Sequence, residues 1–199
     1  MIQIRRTKHN FLLFFPAVIL VFLITSCKND YTPKPMAYFR IDLPEKEYQQ
    51  LDTTFPYMFE YPLYSVINPD RHSPEEENWI NIDFPDYRAS IHISYKEVGN
   101  NLTKYLEDSR TMVMKHMPKA SSIKDQMIYR PEEKIYGLKY KIEGLGAASP
   151  YQFFVTDSAK HFIRGALYFN VKPNNDSLAP VIDFIREDID HIIQTLEWK

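Results

Sequence analysis

Histidine, carboxylate and cysteine side chains are the groups from which this chain could build chemistry, and their spacing allows few sites. Beyond residue 26 the histidines are His72, His92, His116, His161 and His191, and none has a second histidine close by in sequence. Glu187 and His191 stand four apart, so a helix would turn both toward one metal ion. Two ligands do not make a coordination shell, and Asp183 and Gln194 beside them equally describe the solvated back of a helix. His92 alternates with Ser90 and Ser94, the polar side of a strand, where it could face a ligand or simply water. Asp83 and Asp86 invite the paired-carboxylate reading of glycoside hydrolysis. The intervening Phe84 and Pro85 instead suggest a strand running into a turn, where aspartate is common. Gly144-Leu145-Gly146 lacks the third glycine of a dinucleotide fingerprint and no helix follows it. No G-x-S-x-G elbow, H-E-x-x-H pair or Walker loop is present. The residues specify no catalytic centre, no metal site and no cofactor.

The elements that would position these groups are legible as two periodicities. Ile80, Ile82 and Phe84 alternate with Asn81 and Asp83, and Ile91, Ile93 and Tyr95 alternate with His92 and Ser94, both strand signatures. Residues 37–43 and 58–67 are aromatic and β-branched, but Pro56, Pro62 and Pro69 restrict them to edge strands or irregular pairing. Residues 70–78, with Pro74 and three consecutive glutamates, read as an exposed loop. Spacing then predicts a helix over 101–117, with Leu102, Tyr105, Leu106, Ser109, Val113, His116 and Met117 on one side. Asn101 would cap it and Pro118 would stop it. Strand-like runs follow at 123–130, 135–143, 151–156 and 161–171, joined by short connections that favour antiparallel pairing. In the last segment Leu178, Val181, Ile182, Ile185, Ile189, Ile192, Ile193 and Leu196 fall within about 120° of arc. Asp176 or Ser177 would start that helix, with Pro180 in its first turn. The expected class is α+β: an antiparallel sheet with at least two packed helices, one a long C-terminal amphipathic helix.

Composition narrows the function classes. The chain has 199 residues, 24 bases against 26 acids, 44% hydrophobic residues and one cysteine. These values exclude a disordered chain, a collagen-like fibre and a multi-span membrane protein. The mild acidity argues against a nucleic-acid partner, whose footprint is a basic patch.

The N-terminus carries the strongest signal. Arg5, Arg6 and Lys8 precede an uninterrupted apolar run over 11–24. As a helix that run spans roughly 21 Å, short of a ~30 Å hydrocarbon core. Basic start, short apolar run and small residues are the parts of a secretory signal peptide over 1–26. Ile24-Thr25-Ser26-Cys27 resembles the bacterial lipobox, which implies lipidation of Cys27 and cleavage just before it. Two or more acyl chains hold a protein stably at a membrane where one does not. Residues 27–36 then read as the lipidated cysteine and an extended proline-bearing tether, and 37–199 as a single globular domain.

Tyr31, Tyr38, Tyr48, Tyr57, Tyr61 and Tyr64 cluster with prolines early in the mature chain. They either form a sugar- or peptide-binding platform or pack as a wrap over a sheet edge. Phe184 and Trp198 lie off the apolar stripe of the last segment and are candidates for a second contact, within the domain or with a partner. Tyr31, Tyr38, Phe184 and Trp198 are therefore the candidate partner surface.

Five blocks carry a family likeness: YTPKPMAYFRIDLP at 31–44, WINIDFP at 79–85, YLEDSR at 105–110, HFIRGALYFN at 161–170 and DSLAPVIDFIREDI at 176–189. Together they resemble the gliding-motility lipoprotein GldD family of Bacteroidota. The resemblance implies a membrane-anchored, non-catalytic accessory of the gliding apparatus and its associated type IX secretion system. Its partners would be the membrane, through lipid, and envelope proteins of that machinery. No catalytic or ligand residue comes with the resemblance. A ligand-binding envelope lipoprotein, holding a glycan or small molecule, is the alternative. An enzyme built on Asp83, His92 or the Glu187–His191 pair is the third reading.

Overall fold

Alternating apolar and polar residues build a sheet with two unlike faces. The structure, a computed structural model, describes residues 41–51 and 54–199. The signal segment, Cys27, the tether, Tyr31 and Tyr38 lie outside the described residues. Seven strands form the main sheet: β4 (Val66–Pro69), β5 (Ile80–Phe84), β6 (Ala89–Glu97), β7 (Ser122–Arg130), β8 (Ile135–Glu143), β9 (Tyr151–Thr156) and β10 (His161–Phe169). Their spatial order is β4-β5-β6-β10-β9-β8-β7, and every pair is antiparallel. β6 and β10 pair along their whole lengths, from His161 opposite Glu97 to Phe169 opposite Ala89. The class expected from the sequence, α+β with an antiparallel sheet, is the class observed.

Register sorts the faces. Ile80, Ile82, Phe84, Ile91, Ile93, Ile163 and Leu167 point to one side, all buried in the larger core. Helix α2 (Asn175–Thr195) contributes Val181, Phe184, Ile185, Ile189, Ile192 and Ile193 to that core. Each fully buried isoleucine contributes roughly 1.5–3 kcal/mol. Gly165 sits opposite Phe153, whose ring lies where a β-carbon would be. A side chain there would collide with the ring. The smaller core lies on the other face, where helix α1 (Leu102–Met114) places Val113 against Tyr140, Ile142, Phe154 and Phe162.

Several elements differ in extent from the sequence reading. The run 58–67 breaks into β2 (Tyr57–Met58), β3 (Glu60–Pro62) and the start of β4, each with a different partner. β3 pairs with β1 (Tyr48–Gln50), β2 pairs with the C-terminal β11 (Glu197–Trp198), and β4 is an edge of the main sheet. A turn in which Ser65 Oγ donates to Pro62 O at 2.7 Å separates β3 from β4. α1 ends at Met114, and Pro118 belongs to a separate 3-10 turn, Met117–Lys119. Asn101 precedes α1 without capping it through its side chain; its Nδ2 donates to the Tyr105 hydroxyl at 2.9 Å. α2 starts at Asn175, whose Nδ2 donates to Gly144 O and Ala147 O at 2.8 and 3.0 Å. That earlier start puts Pro180 in the second turn, where its missing N–H forgoes one helical hydrogen bond.

Candidate functional site

Residues 41–51 and 54–64 form a strap against α2, and its tyrosines are buried or half-buried. Tyr57 is fully buried with Leu51 and Phe59, and its hydroxyl donates to Asn78 O at 2.8 Å. Asp188 of α2 is 0% exposed and is the focus of a polar clamp. Lys46 Nζ donates to Asp188 Oδ1 at 2.7 Å and to the Phe184 carbonyl at 2.7 Å. The Tyr48 hydroxyl donates to Oδ1 at 3.0 Å, and the Tyr64 hydroxyl lies 2.8 Å from both carboxylate oxygens. The ammonium also sits 3.4 Å from the centre of the Phe184 ring. Burial pushes the Asp188 carboxyl above the ordinary carboxylate range, and its Lys46, Tyr64 and Tyr48 partners pull it back. Burial likewise lowers Lys46, against the pull of Asp188. About two turns further on, Glu60 N donates to Thr195 Oγ1 at 3.0 Å.

This clamp accounts for residues that looked available. Phe184 is 8% exposed and packs against Tyr64 and Tyr87, so its second contact is within the domain. His191 stacks on Tyr48 with ring centroids 3.6 Å apart, and its Nε2 lies 2.7 Å from Glu60 Oε2. Its carboxylate neighbour is therefore Glu60 from the strap, while Glu187 is exposed. Asp188 escaped the sequence reading although it sits three residues after Ile185 and four before Ile192, inside the buried side of the helix. An acid at such a position requires donors from elsewhere in the chain.

Asp83 and Asp86 do not converge. Asp83 accepts from Asn68 Nδ2 at 2.8 Å and from Ser90 Oγ at 2.5 Å, whereas Asp86 is exposed in the 3-10 turn Pro85–Tyr87. His92 Nδ1 is 2.6 Å from Asn81 Oδ1, and burial lowers its pKa below the usual value. Among the described residues no group of three or more His, Cys, Asp or Glu side chains could hold a metal ion. Nor is any described helix long and apolar enough to cross a membrane.

An open cleft of about 540 Å³ lies between the β7–β8 and β9–β10 turns and the C-terminal strand. Glu132, Lys134, Lys160, His161, Glu197 and Trp198 line it. The Trp198 indole stacks on His161 at 5.1 Å and donates from Nε1 to Lys134 O at 3.1 Å. His161 Nδ1 is in turn 2.9 Å from the Tyr95 hydroxyl. Asp157 at the rim accepts backbone N–H bonds from Ala159, Lys160 and His161 at 2.8–2.9 Å. Burial opposes its ionisation, but those bonds hold its carboxyl below the usual range. The cleft offers a charged rim around one aromatic wall, an arrangement suited to holding a polar group.

A model of the family described as gliding motility lipoprotein GldD matches residues 28–198. No curated protein matches the chain. Among solved structures, cyanobacterial PsbP (CyanoP) from Synechocystis sp. PCC 6803 is similar at 13% identity, with a TM-score of 0.46. That likeness covers 81% of this chain and 98% of the cyanobacterial one.

Proposed function

The chain belongs to the gliding motility lipoprotein GldD family, and from that premise we propose that it is a membrane-anchored, non-catalytic accessory of a gliding apparatus. Its role is that of a scaffold for envelope proteins of the gliding machinery and the type IX secretion system linked to it. The observation that carries this reading is the extent of the family match, which begins at residue 28, directly after Cys27. In this proposal residues 1–26 are a signal peptide, Cys27 bears acyl chains such as palmitate, and 27–36 tether the domain 37–199. The domain faces the periplasm or the cell surface. Tyr31, Tyr38 and the outer edge of Trp198 supply partner contacts. The inward commitments of Asp83, Asp188 and His191 support a binding body over an enzyme, because each is engaged by neighbours in the fold.

Replacing Cys27 by alanine tests the anchor, and crosslinking pull-down of the wild type tests the scaffold. The proposal expects Cys27→Ala to leave the membrane fraction and the wild type to carry envelope partners with it. Wild type recovered without envelope proteins would count against the scaffold role. Retention of a cleaved Cys27→Ala chain in membranes would show that something other than lipid holds it. The second reading, a glycan- or small-molecule-binding lipoprotein, rests on the Trp198 cleft. A Trp198→Ala variant that loses a bound ligand while keeping its protein partners would favour it.

A further inference from the structure

The face of the main sheet opposite α2 holds a positive charge without a matching carboxylate. Register places Arg164, Ala166 and Tyr168 of β10 on this face, with His92 of β6 and Gln152 of β9 directly opposite Ala166. Four hydrogen-bonding side chains thus surround the Ala166 methyl group, which is buried. The guanidinium of Arg164 donates from Nη2 to Gln152 Oε1 at 2.6 Å. No carboxylate of the described residues lies within 4.0 Å of it.

The amide that receives Arg164 is itself incomplete. Gln152 is 1% exposed, and its Nε2 has no hydrogen-bond partner among the described residues. The guanidinium lacks a countercharge and the buried amide N–H lacks an acceptor, and the two are joined through one side chain. His92, across the ladder from Ala166, is held below its ordinary value first by burial and then by neighbouring charges that include Arg164. The carboxylates that act on His92 are Asp70 and Asp83, toward the β4–β5 edge. Both accept from neutral donors there: Asn81 for Asp70, and Asn68 and Ser90 for Asp83.

We propose that this face binds a phosphate-type oxyanion, held by the guanidinium of Arg164 and the amide of Gln152, with His92 at its edge. Donors arriving from several directions suit a tetrahedral anion better than a planar carboxylate, and the arginine fork supplies the charge. The oxyanion is either free phosphate or the phosphate of a lipid headgroup.

The test uses the purified full chain, with inorganic phosphate and glycerol 1-phosphate as probes and chloride at equal ionic strength as the control. Either probe should raise the midpoint of thermal unfolding above the chloride value, because a ligand that binds only the folded state stabilises it. Arg164→Gln should weaken binding about ten- to hundredfold, the usual effect of losing a charge-assisted hydrogen bond. Arg164→Lys, which keeps charge but not the fork, should fall between. The Gln152 side-chain amide resonances should move on titration of the unmutated chain, a readout independent of whether a variant folds. Preference for glycerol 1-phosphate identifies the headgroup source, and equal or weaker response to it identifies free phosphate. Equal shifts in wild type and Arg164→Gln, or a Gln152 amide that stays still, would overturn the site.

Discussion

Replacing Lys46 by methionine isolates the charge in the strap clamp, because methionine keeps most of the apolar stem over Phe184. The variant leaves Asp188, 0% exposed, with the Tyr48 and Tyr64 hydroxyls as its remaining donors. Breaking a buried ion pair from one side typically removes about 3–5 kcal/mol. Proton uptake sets a ceiling. Against an ordinary carboxyl value of 3.8, keeping Asp188 protonated at pH 7 costs about 4.4 kcal/mol at ~1.36 kcal/mol per pH unit. The two phenols retain part of the solvation, so the expected loss at pH 7 is about 3 kcal/mol. At pH 5 the ceiling falls to about 1.6 kcal/mol, so the loss must shrink with acidification. The sign follows from linkage. A carboxyl raised in the folded state contributes stability that is full below 3.8 and is lost as pH climbs through the folded value. The variant therefore recovers toward the parent between pH 7 and pH 5. Urea unfolding at both pH values, with unchanged slope, measures the difference. The double variant Lys46→Met/Asp188→Asn removes both charges yet keeps an acceptor for the phenols, and should lie within about 1 kcal/mol of wild type. A loss below about 1 kcal/mol at pH 7, or the same loss at both pH values, would refute the reasoning.

Gly165→Ala should destabilise the domain by about 1–3 kcal/mol, read by thermal denaturation, because the new methyl occupies the place of the Phe153 ring. An unchanged midpoint would mean that the ring can swing aside at no cost. His92 and His116 are both held below their ordinary value of 6.5 by burial. Their contribution to stability is full above 6.5 and is lost as pH falls through the folded values. His92→Gln should flatten the decline in unfolding free energy measured below pH 6.5, and an unaltered slope would contradict that account. Trp198→Ala should cost about 1–2 kcal/mol and speed amide exchange in β2, its partner strand; exchange confined to Lys199 would show that β11 is not a stapling element.

Local periodicity makes the central sheet and the last helix readable. The alternations at Ile80–Phe84 and through Ile91, Ile93 and Tyr95 can only satisfy one buried face, and the sheet uses them so. Helix α2 is readable for the same reason, through isoleucines spaced three and four apart. What sequence spacing does not show is the covering of its flank. Lys46 and Tyr64 reach Asp188 across sequence separations of 142 and 124 residues, and no local pattern encodes such a meeting. Phe184 and His191 look outward in the sequence because the strap that covers them comes from the other end of the domain. The start of α2 differs from the sequence expectation for a similar reason, since Asn175 is held by the Gly144–Ala147 turn rather than by its own neighbours. Arg164 gives no sign in sequence beyond being a charge within an apolar strand. Its meaning emerges only when register brings Gln152 and His92 around Ala166.

The strap also decides how the domain bears load. Tension entering from the N-terminal side meets Lys46, Tyr48 and the β1–β3 ladder before any strand of the main sheet. The early resistance is thus a handful of polar bonds about Lys46 and Tyr48, met before Leu51, Tyr57 and Phe59, which root the strap in the larger core. Peeling the strap would lay bare Phe184, Asp188 and the flank of α2, a surface concealed at rest. A pull along the chain and the exposure of that surface are mechanically the same event.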